Sequence, residues 1–326
     1  MSVPPASGQR FAADGFSKNF RGECFHRTVV GMVVQQHRAE EAMAIFNQAA
    51  EANNQTQTHR GNMILLDEYA AKDVFLTGDL HGNAENFHAI VERADLEHNP
   101  GRHLVFQEIC HGGEPYPHGG GCRSHQVLEA VAEMKVRYPQ RVHHIMSNHE
   151  LAELTGYPIQ KSRQLLNMSF AWGLRYCYGR RAEEVRLAML GYLESCPLAV
   201  RIGDNLFFSH SIPEGLDQKN LPFDDTIFYR SLDPCSDFLR DGAVYRLVWG
   251  RDYRQENADR FASRLGVDIL VCGHEPCLEG FKFPNSRQAI LDCCGPTACC
   301  MLVPTYPKLE LWNYRTFVFP LHRKRN

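Results

Sequence analysis

Five short apolar runs in this chain each lead into a side chain able to ligate a metal ion. Val74-Phe75-Leu76 runs into Gly78-Asp79-Leu80-His81-Gly82, and Leu104-Val105-Phe106 runs into Gln107-Glu108. Residues 142–146 lead to Ser147-Asn148-His149-Glu150, Phe207-Phe208 to Ser209-His210-Ser211, and residues 269–272 to Gly273-His274-Glu275-Pro276. Carboxylates, an amide oxygen and imidazoles form a mixed hard and borderline donor set. That set suits Mn, Fe or Zn better than an all-oxygen cage of the kind built for Mg or Ca. Two such ions roughly 3.5–4 Å apart clamp a phosphoryl group and acidify a shared water, so hydrolysis of phosphate esters is the expected chemistry. Glycines beside Asp79, His81 and His274 let the backbone turn sharply and leave room for ions.

Each motif alone is ordinary. Asp-x-His is a common loop or capping pair, Asn-His-Glu a common run of polar surface residues, and Gly-His-Glu a turn. Their order, each directly after an apolar run, gives them meaning. In an α/β sheet the carboxyl ends of the strands share one crevice, so groups dispersed over almost 200 residues can converge there.

The elements needed for that convergence are legible. Phe87, Ile90, Val91 and Ala94 fall at helical spacing, as do Val127, Leu128, Val131 and Met134. Strands alternating with helices imply parallel strands joined by right-handed crossovers. A helical stretch is expected over 161–193, followed by strands at 198–202, 206–208, 269–272, 289–291, 301–303 and 309–312. Gly203-Asp204-Asn205 reads as a hairpin turn between two of them. Ala42, Met43, Ile45, Phe46, Ala49 and Ala50 mark a helix before the first strand, and residues 1 to about 30 read as an irregular arm. The expectation is an α/β chain with an N-terminal arm and helix over 1–60 and one domain over 61–326.

Composition narrows the partners. With 44% hydrophobic residues the chain can bury a full core, and its net charge of −3 argues against wrapping nucleic acid. The basic tail His322-Arg323-Lys324-Arg325 reads as a solvated terminus. Twelve cysteines in a long chain that opens without an apolar signal core read as free thiols in a reducing cytoplasm. No apolar run approaches the roughly eighteen residues of a membrane span.

These ordered blocks resemble the calcineurin-like metallophosphoesterases, in particular the branch of phosphoprotein phosphatases and diadenosine-tetraphosphate hydrolases. The resemblance spans about residues 74–275, and the tail strands carry it to about 313. It implies a sandwich of two mixed β-sheets flanked by helices, and two divalent ions (Mn, Fe or Zn). By the same resemblance, Asp79 and His81 hold one ion, Asn148, His210 and His274 the other, and Glu108 bridges them. His149 is the implied general acid, and metal-activated water attacks phosphorus without a phospho-enzyme. The implied substrate is a phosphorylated protein, or a small phosphoester such as a dinucleoside polyphosphate.

The chain departs from that family in its second block. Where relatives carry Gly-Asp-x-x-Asp-Arg-Gly, this sequence reads Gln107-Glu108-Ile109-Cys110-His111-Gly112-Gly113. The bridge becomes a longer Glu, His111 stands where an Asp orients the acid histidine, and Gly112 stands where an Arg binds phosphate. Ser147 also replaces a Gly. Arg251, beyond Trp249-Gly250, is the expected phosphate contact, with a surface ion pair as its other reading. Narrowed activity is therefore expected. A non-catalytic metal- or phosphate-binding protein on the same scaffold is the reading from another class. The Gly-rich stretch 112–121 reads as a substrate loop. The doublets Cys293-Cys294 and Cys299-Cys300 read as buried small hydrophobes, since adjacent strand residues face opposite ways.

Overall fold

The computed structural model describes residues 20–161, 163–218 and 223–322, with side chains from residue 37 onward. It begins with helix α1 (Phe20–Asn54), then β1 (His59–Arg60), β2 (Met63–Leu66), β3 (Asp73–Asp79), α2 (Ala84–Ala94) and β4 (Arg102–Gln107). There follow α3 (Ser124–Arg137), β5 (Val142–Ile145), α4 (Asn148–Thr155), a hairpin of β6 (Gln160–Lys161) and β7 (Gln164–Leu165), α5 (Leu166–Tyr178) and α6 (Ala182–Glu194). The second half holds β8 (Ala199–Ile202), β9 (Leu206–Ser209), α7 (Ala243–Trp249), α8 (Gln255–Leu265) and β10 (Ile269–Cys272). It ends with β11 (Phe281–Lys282), β12 (Gln288–Leu291), β13 (Cys299–Pro304) and β14 (Val318–Pro320).

Two mixed sheets form. One has the order β1-β2-β8-β9-β10-β12-β11, the other β14-β13-β3-β4-β5. The strands β3, β4 and β5 are parallel, as the alternation of strands and helices requires, whereas β13 runs antiparallel to β3. In the first sheet β9, β10 and β12 are parallel to one another, and β8 and β9 pair antiparallel through the expected turn at Gly203.

Strand alternation assigns each residue to a layer. Val74, Leu76 and Val105 point inward to meet Phe208, Ile269, Val271 and Leu291 of the facing sheet, forming the central core. Their neighbours Phe75, Leu104 and Phe106 point outward, under α1, α2, α3, α5 and α6. On the opposite side Phe207, Leu270 and Ile290 are covered by Leu247 and Val248 of α7 and Phe261 of α8. Both sheets are thus buried on both faces, which is why their strands read as continuous apolar runs. Helix α1 places Ala39, Ala42, Phe46 and Ala49 in the same cluster as the outer face of the five-stranded sheet.

Several expectations are corrected. The α1 backbone is already helical at Phe20, within the stretch read as an irregular arm; residues 1–19 of that arm lie outside the described residues. Residues 309–312 do not form a strand. Leu309 is buried, but Glu310 starts a turn held by Asn313 and Tyr314, and Trp312 is 82% exposed. The stretch 161–193 opens with a hairpin and is broken at Gly179, whose φ of +59° and ψ of −124° end α5. Helices α7 and α8 complete the other side. Among the described residues no helix is long and apolar enough to cross a membrane.

Phe208, fully buried between the sheets, tests this layering. Phe208→Ala is expected to lower unfolding stability by about 3–5 kcal/mol, measured by denaturant titration; a loss within experimental scatter would mean the sheets do not face each other there.

Candidate active site

The ends of β3, β4, β9 and β10, with the start of α4 after β5, meet at one edge of the sandwich. Three of the turns there carry non-glycine residues with left-handed φ: His81 at +45°, Glu108 at +45° and His274 at +70°. Such conformations cost about 1–3 kcal/mol each and persist where the surroundings impose them. Here the backbone N–H groups of Leu80 and His81 both donate to the carbonyl of Glu108, at 3.0 and 2.8 Å, so the turns after β3 and β4 lock each other. Glu150 braces the same loop from behind, accepting the N–H groups of Ile109 and Cys110 at 2.8 and 2.9 Å. Burial opposes charge on Glu150, but the His144 imidazole and the Ser147 hydroxyl hold its carboxyl far below the usual range.

Glu108 lies at the centre. Its Oε2 is 3.5 Å from His81 Nε2, and its Oε1 is 3.6 Å from His149 Nε2 and 3.5 Å from His210 Nε2. On the far side His210 Nε2 lies 2.7 Å from Asn148 Oδ1 and 3.1 Å from His274 Nδ1, which is itself 3.1 Å from Asn148 Oδ1. Asp79 Oδ1 is 3.7 Å from His210 Nδ1, and its Oδ2 accepts the backbone N–H of His274 at 2.8 Å. The structure therefore brings together all seven of Asp79, His81, Glu108, Asn148, His149, His210 and His274.

The hydrogen bonds behind the imidazoles fix which nitrogen faces the site. Gln107 donates through Nε2 to the Thr77 carbonyl at 2.9 Å, which turns its Oε1 toward His210 Nδ1, 2.9 Å away. His210 Nδ1 must then carry the hydrogen, leaving Nε2 with a bare lone pair. His81 is set in the same way, its Nδ1 donating to the His111 carbonyl at 3.2 Å. Lone pairs thus crowd together: His210 Nε2 lies against Asn148 Oδ1, the Glu108 carboxylate is 3.5 Å from the same nitrogen, and His274 Nδ1 is 3.1 Å from both His210 Nε2 and Asn148 Oδ1. Asp79 Oδ1 and His274 Nε2 are buried without a partner. Burial, with the charge of Asp292 added, pushes Asp79 up to about 7 against the opposing hydrogen bond from Glu108, and burial together with the charge of Asp79 pushes Glu108 well above the carboxylate range. Burial likewise pushes His81 down to about 4 and His274 to about 3, and His210 well below its usual value, so these imidazoles are neutral. Neutral imidazoles and carboxylates lacking a counter-charge are the donor state that divalent cations require, so the residues fit metal ions. Gly273 preserves the space, because a Cβ there would collide with Asp79 Oδ1 and Gln107 Oε1.

Arg251 sits at the rim. Its guanidinium is paired with Glu275 and lies 3.5 Å from the His274 carbonyl, and its backbone N–H donates to Glu214 at 2.7 Å. On the other side a cavity of about 830 Å³ adjoins His81 and His111 and is walled by Gly112-Gly113-Glu114-Pro115, Arg123 and Lys161. No Cys joins a metal-competent group among the described residues, and Cys293 and Cys300 lie in the buried cluster beneath the helices. Sequence reasoning passed over Gln107, which holds His210, and Glu150, which holds the Glu108 loop. The only signal was the position of Gln107 immediately before Glu108.

Comparison with known proteins agrees with this geometry. The calcineurin-like phosphoesterase family profile matches residues 73–278, well over half of the chain. The chain belongs to that family and is a metal-dependent phosphoric ester hydrolase. It is similar, at 17% identity and a TM-score of 0.62, to a serine/threonine phosphatase from Saccharomyces cerevisiae described as similar to human phosphatase PP5, covering 83% of this chain and 85% of that one. A cold-active protein tyrosine phosphatase matches at 15% identity and a TM-score of 0.51, over 77% of this chain and 78% of that one. Likeness at such identities concerns the fold.

Metal linkage tests the donor cluster without reference to turnover. Titrating Mn²⁺ or Zn²⁺ into metal-free protein is expected to raise unfolding stability by about 2.7 kcal/mol at a hundred times Kd. Gly273→Ala should abolish most of that gain. Thermal unfolding with and without metal measures both, and an unchanged wild-type melting curve would count against the site.

Proposed function

We propose that this chain hydrolyses phosphate monoesters as a phosphoprotein-phosphatase-like enzyme that holds two divalent cations in the cluster around Glu108. The observation that carries the reading is the convergence of the His210 and His274 imidazoles and the Asn148 amide oxygen on one side of that carboxylate, with His81 on the other. Asp79, His81 and Glu108 would hold one cation; Glu108, Asn148, His210 and His274 would hold its neighbour. When bound, such ions supply positive charge to the phosphoryl oxygens and acidify the water that attacks phosphorus. His149, with Nε2 3.6 Å from Glu108 Oε1, is the group assigned to protonate the leaving oxygen. Arg251 at the His274 edge and Lys161 in the cavity wall are the cations assigned to the remaining phosphate oxygens, in place of an arginine at Gly112.

The likeness to protein serine/threonine and tyrosine phosphatases supports a protein substrate. A second reading, a small phosphoester such as a dinucleoside polyphosphate, is favoured by the cavity of about 830 Å³ walled by the 112–115 loop.

The test is metal analysis joined to a substrate panel of aryl phosphate, phosphopeptide and dinucleoside polyphosphate with Mn, Fe, Zn, Ni and Mg. Turnover is expected with at least one metal, and His149→Ala is expected to reduce kcat by about 10²–10⁴-fold with metal content retained. Bound metal with no turnover on any substrate would favour a phosphate-sensing protein instead.

A further inference from the structure

His149, whose Nε2 faces Glu108, is held from behind by a buried chain of two side chains. Glu153 Oε1 lies 2.7 Å from His111 Nε2, and His111 Nδ1 lies 2.9 Å from His149 Nδ1. All three residues are at most 8% exposed. We propose that Glu153 and His111 are positioning residues that together aim His149 Nε2 at the leaving oxygen, a two-residue brace in which His111 relays the carboxylate of Glu153.

The hydrogen placement follows from the ends inward. A carboxylate only accepts, so His111 Nε2 carries its hydrogen, and in this brace His111 Nδ1 presents the lone pair to His149. His149 Nδ1 must then donate, which fixes its tautomer and leaves Nε2 as the nitrogen facing Glu108. For turnover His149 acts as its imidazolium, Nε2 having taken a proton from solvent while Nδ1–H still donates to His111. The Nε2–H bond then breaks as the ester P–O bond breaks, the proton goes to the departing oxygen, and the leaving group exits as its alcohol. His149 is left neutral, still donating through Nδ1 to His111.

The fold supplies this arrangement from three elements. His149 and Glu153 are four residues apart on α4 and share one helix face. His111, from the loop after β4, inserts its ring against both. Helix α5 closes the back: Asn167 Nδ2 donates to Glu153 Oε1 at 3.0 Å, and Phe170 packs edge-on against His111 at 5.7 Å between ring centroids. Glu153 is thereby held in place while remaining free to accept from His111. A brace of this kind serves the departing group rather than the attack, and that distinction makes it measurable.

The inference rests on the phosphatase reading for its kinetic readout and stands apart from it for its spectroscopic one. The kinetic test compares kcat for p-nitrophenyl phosphate, whose leaving group needs little help, with kcat for an alkyl phosphate, whose leaving group needs a proton. Glu153→Gln is expected to raise the ratio of the two by about 10²-fold, with KM and metal content unchanged. The double variant His111→Asp/Glu153→Gln, which sets a carboxylate directly against His149, is expected to return the ratio to within about tenfold of wild type. An unchanged ratio in Glu153→Gln, or an equal fall on both substrates, overturns the proposal. The second test is imidazole ¹H–¹⁵N correlation on the metal-free protein, where His149 is expected as a slowly exchanging Nδ1–H tautomer that is lost in Glu153→Gln. A wild-type Nε2–H tautomer overturns the brace whatever the turnover. Absent turnover with the Nδ1–H tautomer present overturns the phosphatase reading and leaves the brace standing.

Discussion

The site depends on an electrostatic imbalance: two buried carboxyl groups face neutral imidazoles and an amide oxygen, and among the described residues no Lys or Arg forms an ion pair with either. Asp79 and Glu108 are at most 4% exposed, and Glu108 faces the bare Nε2 atoms of His81 and His210. Burying a carboxylate without a partner is expensive, and here burial raises both groups in pKa. An external positive charge is the natural complement to this arrangement. Arg251, at the rim, is paired with Glu275 instead.

Holding donors together against their mutual repulsion requires a rigid frame, which the layered sandwich provides. Both sheets are covered on both faces, so the strand ends cannot relax sideways. The turns beyond them are tied through the shared Glu108 carbonyl and the Glu150 carboxylate. The left-handed backbone at His81, Glu108 and His274 is the visible cost of aiming long side chains back across the strand ends. Gln107 adds a subtler control, since the direction of its amide decides which nitrogen of His210 is available.

Much of the frame was legible because buried strands write their apolar runs into the sequence, and the donors follow those runs directly. Asp79, His81, Glu108, Asn148, His149, His210 and His274 could be named from that rule and from the family resemblance, and they do meet. Helix α4 escaped notice for a physical reason. Its buried residues include Asn148, His149, Glu150 and Glu153, so the usual apolar periodicity is absent. Residues 309–312 misled in the opposite direction: an apolar run was read as a strand, but Leu309 alone is buried while a capped turn exposes Trp312. Gln107 and Glu153 act through another side chain, and no local spacing marks such a role.

Helix α4 carries, in eight residues capped by Ser147, a donor amide, the imidazole beside Glu108 and the carboxylate behind it. An α-helix advances about 100° per residue, so inserting or deleting a single residue inside α4 would swing these groups to different faces. Length variation among natural relatives of this chain is therefore expected to be excluded from residues 148–153 and displaced into the loop that follows Gly156, where the φ of +69° releases the chain from the helix. The helix behaves as one inheritable unit, whose register matters as much as its composition.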